Sequence, residues 1–150
     1  MQTKSTIRFS GKIKLSIFKK GTLIEILEFP NHIVSTGVTQ LARMMQGLTS
    51  ITQIGFGSSG NPVFDSDDHL TDVFLKAVTN FSVTDNNLNI NWNLYRNEAN
   101  GLNIWELGLF TPDNILVARS VIQAPQAIPK DSDISLTGTW TIQISPNLES

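Results

Sequence analysis

The sequence predicts a mainly β protein, an antiparallel β-sandwich with one amphipathic helix near the N-terminal third. Three observations lead there. Apolar and polar residues alternate through most of the chain, the two-residue period of half-buried strands. One segment alone switches to helical spacing. Clusters of Asn, Asp, Gly and Pro punctuate the apolar runs, and strands do not alternate with helices, so no parallel doubly wound sheet is expected. At 150 residues, such a chain buries about 70% of its unfolded surface, enough for a single domain over residues 1–150.

The elements follow in order. Ile7, Phe9, Ile13, Leu15 and Ile17 alternate with Arg8, Ser10, Lys12, Lys14 and Ser16, with Gly11 a candidate bulge. Gly21 turns the chain into a second strand over 23–29, which Pro30 stops, so the pair reads as a hairpin. From Val38, apolar residues fall at Leu41, Ala42, Met45 and Leu48, the stripe of a helix. Ser35 or Thr36 is placed to cap it and Gly47 to end it. Met45 is expected in the core and Met44 nearer the polar side. Strands are then expected over 49–56, 74–84, 88–95, 104–110, 115–122 and 134–144. Turn signals at Asp85-Asn86-Asn87, 97–101 and Thr111-Pro112-Asp113-Asn114 separate several of them. The loop 57–72 is long for a compact domain, and loops of that size usually have a task or a partner.

Composition excludes several functions. Only 16% of residues are charged, against about 25% in a typical soluble domain; Asn, Thr and Ser fill the difference. No apolar run approaches the roughly 20 residues of a membrane-spanning helix, and Met1 to Phe9 lacks a signal-peptide core. Without cysteine, disulfides, thiol nucleophiles and cysteine-based zinc sites fall away. The net charge of −2 and pI near 5.6 do not fit a dedicated nucleic-acid binder, whose pI usually exceeds about 9. The basic residues Lys4, Arg8, Lys12, Lys14, Lys19 and Lys20 all precede the first acidic one, Glu25. Arg8, Lys12 and Lys14 share one parity and read as the solvent side of a strand. His32 and His69 lie far apart in the sequence. No enzymatic activity, catalytic residue or cofactor is expected, and a small-molecule ligand is not.

Each candidate motif also has a plainer reading. Gly55-Phe56-Gly57-Ser58-Ser59-Gly60 matches GxGxxG, but Asn61-Pro62 follows where a dinucleotide site needs a helix, so the run reads as a turn leaving a strand. Asp65, Asp67, Asp68 and His69 offer oxygen ligands for a hard cation, without EF-hand spacing. Capping or loop bonding is the favoured reading, with no metal assigned. Glu98 and Glu106 would be the carboxylate pair of a glycosidase. Glu106, however, lies within a strand between Trp105 and Leu107, where a carboxylate more often pairs with an arginine. Trp92, Trp105 and Trp140 share parity with apolar neighbours and point to the core, whereas Tyr95 points out. Asn87, Asn89, Asn91 and Asn93 occupy the face opposite Trp92. Asn is disfavoured in strands, so this run is either a wet contact with a neighbouring subunit or a solvated face of low charge.

The run Glu98-Ala99-Asn100-Gly101-Leu102-Asn103-Ile104-Trp105-Glu106-Leu107-Gly108-Leu109-Phe110 is followed by Asp113-Asn114-Ile115-Leu116-Val117-Ala118-Arg119. It continues through Pro129-Lys130 to Leu136-Thr137-Gly138-Thr139-Trp140-Thr141-Ile142-Gln143-Ile144. This stretch resembles virion structural proteins of tailed bacteriophages, notably tail-collar fibre and appendage proteins. Asn31-His32-Ile33-Val34-Ser35-Thr36-Gly37 and Ile54-Gly55-Phe56-Gly57 resemble the opening of the same group. Some relatives in that group are head-decoration or neck proteins. The likeness covers most of residues 23–144.

What the resemblance implies is a particle component, made in the host cytoplasm and resident in the virion. By that resemblance such a chain associates with itself as a homo-oligomer, three-fold in similar proteins, and docks on other virion proteins. Fibre proteins of this group continue into long repeats or a receptor-binding tip, whereas this sequence stops at Ser150, so the expected role is an adaptor, collar, baseplate or capsid-decorating one rather than receptor binding. The alternative is a capsid-decorating cement protein, and a carbohydrate-binding module is more remote. Glu106 and Arg119, on strands either side of Asp113-Asn114, are placed to form a register-fixing ion pair. Gly108 leaves room for a close approach, and Trp140 anchors the core. The candidate interface comprises Asn87, Asn89, Asn91, Asn93, Lys12 and Lys14.

Overall fold

A computed structural model describes residues 4–123 and 125–149. Two five-stranded antiparallel sheets face each other. The first has the order β2 (Thr22–Pro30), β1 (Lys4–Lys19), β12 (Ile134–Glu149), β7 (Asn87–Leu94), β6 (Asn80–Thr84). The second runs β3 (His32–Ile33), β10 (Leu116–Val121), β9 (Glu106–Phe110), β4 (Gln53–Gly57), β5 (Phe74–Ala77). A small ladder joins β8 (Asn103–Ile104) to β11 (Ile128–Pro129). The expected class, mainly β with one helix, is what the chain forms.

Alternation sets the core. Ile13, Leu15, Ile17, Ile90, Trp92, Leu94, Leu136, Trp140 and Ile142 line the inner face of the first sheet. Ile54, Phe56, Leu107, Leu109 and Ala118 meet them from the second. Phe56 lies edge-on to Trp92, with ring centroids 5.3 Å apart. The opposite face of the second sheet is also covered. Val34, Leu70, Phe110 and Leu116 form a smaller cluster there, so β9 is buried along its whole length.

Several expectations are corrected. The strand expected over 74–84 is two. At the corner, Val78 N–H donates to Thr52 O and Thr79 N–H to Asn91 O, so the chain passes from the second sheet to the first. Gly11 is not a bulge: β1 pairs with β12 without a shift there, and the irregularity falls at Ile17/Phe18 against β2. The helix α1 (Ser35–Met45) is rotated from its apolar stripe. Gly37 and Gln40 are its buried residues and Met44 packs on the core, whereas Met45, Val38 and Leu48 are 84%, 58% and 61% exposed.

The helix's first turn explains that rotation. Thr36 does not cap; its hydroxyl donates to Leu116 O at 2.8 Å, and Val34 N–H donates to Val117 O. A Cβ on Gly37 would lie 1.9 Å from Val117 O, so only glycine permits this approach to β10. Gly37→Ala is therefore expected to cost about 3 kcal/mol, the upper end of the overpacking range, because the atom met is backbone. Urea denaturation checks this: an unchanged midpoint would mean that the helix does not dock here.

Candidate functional site

The second sheet's outer face carries a buried polar cluster. Glu106 and Arg119, 1% and 4% exposed at their side chains, meet through Arg119 Nε donating to Glu106 Oε1 at 2.8 Å. They are not register partners: Arg119 lies opposite Gly108, and Glu106 opposite Val121. Their remaining bonds go to the loop leaving β4. Glu106 Oε2 accepts from Ser59 N–H at 2.8 Å and Thr71 N–H at 3.0 Å. The Arg119 guanidinium donates to Pro62 O, Ser59 O and the Asp67 carboxylate, the last at 3.0 Å. Asp67 in turn accepts from Phe64 N–H. Both buried charges are thus paired and bonded, which satisfies the condition for keeping an ion pair out of water. The cluster holds the loop against the sheet.

Glycines make room for that loop. A Cβ on Gly57 would strike the Glu106 carboxylate at 2.7 Å, and one on Gly108 would press on the tips of Leu116, Phe110 and Leu70. Trp105 departs from expectation. It is half-buried, outside the strands, with its ring 3.2 Å from where a Cβ on Gly60 would lie, so it packs under the loop. Trp92 and Trp140 are in the core, at 2% and 0% exposure, and Tyr95 is exposed.

The four acidic-loop residues diverge. Asp65 pairs with His32 Nε2 and Asp68 with His69 Nδ1, both at 2.7 Å, while Asp67 serves Arg119. The Asp68 hydrogen bond, and then its charge, raise the His69 pKa above the ordinary value. Among the described residues no three potential ligands converge. The GxGxxG run leads from β4 into this loop, with no helix after it.

The asparagine run lies on the outer face of the first sheet, and its amides bond across strands. Thr139 Oγ1 donates to Asn91 Oδ1 at 2.7 Å and Thr141 Oγ1 to Asn89 Oδ1 at 2.9 Å. Asn91 Nδ2 donates to Asn80 Oδ1, and Asn93 accepts from Lys76 Nζ. Asn87 ends the ladder opposite Gln143. Thr137, Thr139 and Thr141 on β12 are spaced to match, a signal already present in the sequence. Lys12 and Lys14 are exposed on the same face, Lys12 lying 3.8 Å from Glu28.

Glu98 belongs to a different cluster from Glu106. Lys76 Nζ donates to Glu98 Oε1 at 2.7 Å and sits 4.4 Å above the Tyr95 ring, and Tyr95 N–H donates to the same oxygen. Burial pushes the Glu98 pKa up, but the Lys76 and Tyr95 hydrogen bonds and the charges of Lys76 and Lys130 outweigh it, leaving the net value low. Lys130, buried, donates to Arg96 O, Asn100 Oδ1 and Asp131 O. Burial lowers its pKa, against the opposing charges of Asp131 and Glu98.

A depressed carboxylate pKa contributes stability above the ordinary value near 4.5, and that contribution is lost as pH falls through the lowered value. Glu98→Gln is expected to cost stability at pH 7 and nothing once Glu98 is protonated. Thermal midpoints of the two proteins should converge on acidification; a constant gap would refute the pairing.

No helix among the described residues is long and apolar enough to cross a membrane. Compared with family models, curated proteins and solved structures, the chain matches none.

Proposed function

We propose that this chain is a structural component of a tailed bacteriophage particle, an adaptor of fibre, collar or baseplate type that works by self-association and docking. The observation that carries the association is an uncovered half-core. The first sheet's apolar inner face extends past the second sheet, leaving Ile7, Phe9, Val83 and Ile144 exposed beside fully buried Ile13 and Trp140. Monomers that work alone seldom keep such a face open. The virion setting rests on the resemblance of residues 98–144. Both carboxylates of the candidate glycosidase pair serve structural bonds: Glu106 with Arg119 and the loop, Glu98 with Lys76 and Tyr95.

In this reading the sheet face bearing Asn87, Asn89, Asn91, Asn93, Lys12 and Lys14 is the docking side, where cross-strand bonds pre-order the amides before a partner arrives. A phage unable to make this chain is expected to assemble incomplete particles, completed when the protein is supplied separately. Complete, infectious particles without it would refute the reading.

A further inference from the structure

The exposed apolar face has a regular construction. Ile13, Trp140, Ile90 and Phe81 form one row across the strands, and Ile142, Leu88 and Val83 the next. Beyond them β1 and β12 continue as a two-stranded ribbon, in which Phe9 faces Ile144 and Ile7 faces Pro146. β2 joins β1 only from Lys12, and β7 joins β12 only as far as Gln143. The parity that sends Ile13 and Trp140 inward runs on unchanged, with Arg8, Ser10, Gln143 and Ser145 on the other side. Exposure climbs along it, from 0% at Ile13 to 38% at Phe9, 43% at Ile144 and 65% at Ile7, with Val83 at 74%. Such alternation is what a covered sheet face requires, and a bare two-stranded ribbon is marginal in water.

We infer that a second copy of this chain covers this face, the ribbons of the copies packing inner side to inner side about a symmetry axis. Two observations select a second copy over a foreign segment. Ile7, Phe9, Val83, Ile144 and Pro146 include no charged side chain, so the face is its own complement, as a symmetric contact demands, and homodimer interfaces are the more apolar class. Capture of a foreign strand on the ribbon's β12 edge is also impeded. Ile144 turns its N–H to Asn86 O, and Pro146, two residues on, turns the same way with no N–H to offer. A stable contact needs about 800 Å² per partner, so it extends from the ribbon onto Val83 and Phe81. The inference rests on the self-association half of the proposed function and assigns its surface.

Sedimentation equilibrium of the full chain tests it, comparing wild type with Ile7→Lys/Val83→Lys. Both side chains are mostly exposed, so the monomer tolerates lysine there. The wild type is expected to associate, and the variant to do so at least about 100-fold more weakly, since a buried charge on each side removes hot-spot contacts. Its circular dichroism should be unchanged. If the lysine variant unfolds, Ile7→Thr/Val83→Thr, which keeps strand propensity, decides by the same weakening. A monomeric wild type overturns both this inference and the self-association half of the proposed function. A wild type that associates as tightly as its folded variants overturns the surface and leaves self-association standing.

Discussion

Arg119→Met is expected to destabilise the protein by about 3–5 kcal/mol, because it strips one partner from a buried pair and strands the other charge. For a chain of this length that lowers the thermal midpoint by roughly 6–20 °C. The loss is local as well as global. Arg119 holds Pro62 O, Ser59 O and Asp67, so the loop leaving β4 loses three anchors at once. Limited proteolysis should then cut within residues 58–73, at sites protected in the wild type. Glu106→Gln is expected to do less, about 1.5–3 kcal/mol, since the amide keeps an acceptor oxygen for the loop N–H groups but no charge for Arg119. An Arg119→Met protein with an unchanged midpoint and an intact loop would show that the cluster is dispensable.

Gly138→Ala is the second large effect, expected near 3 kcal/mol. The added Cβ would lie 2.1 Å from Trp92 Cζ2 and 2.5 Å from Cε2. Trp92 is 2% exposed and held edge-on by Phe56, so the ring has nowhere to retreat. Gly108→Ala makes an instructive contrast. Its nearest neighbour is Leu116 Cδ1 at 2.9 Å, the far end of a side chain rather than a fixed ring or backbone. That variant is expected to cost about 1 kcal/mol, the lower end of the same range. Urea midpoints distinguish the two. The double variant Gly138→Ala/Trp92→Leu should show a coupling of about 1–3 kcal/mol, because the smaller side chain relieves the clash. Additivity would mean that Trp92 is not what Gly138 makes room for.

The periodicity in the sequence was enough for the class, the main strands and the core, since Ile13, Leu15, Trp92, Leu107 and Trp140 lie where alternation places them. It was not enough where tertiary contacts override a local pattern. The helix follows a glycine approaching a strand backbone rather than its own apolar stripe. The 74–84 segment reads as one strand because changing sheets at Val78–Thr79 breaks no local alternation. The partnership of Glu106 with Arg119 was legible because a turn signal between them implied a hairpin. Its third member, Asp67, was not: it stands 52 residues from Arg119, on a loop without periodicity. The Asn amides could be read as exposed, but their Thr partners on β12 emerge only once β7 and β12 are known to be neighbours.

The proposal that this chain is a built-in part of a phage particle is tested most directly by its copy number. Quantitative mass spectrometry of purified particles, referenced to the major capsid protein, measures it. A fixed, small number of copies, set by the symmetry of the tail, collar or baseplate, is expected. A count on the order of hundreds would move the chain to the head, where an icosahedral lattice multiplies every site. Its absence from the particle would overturn the proposed structural role.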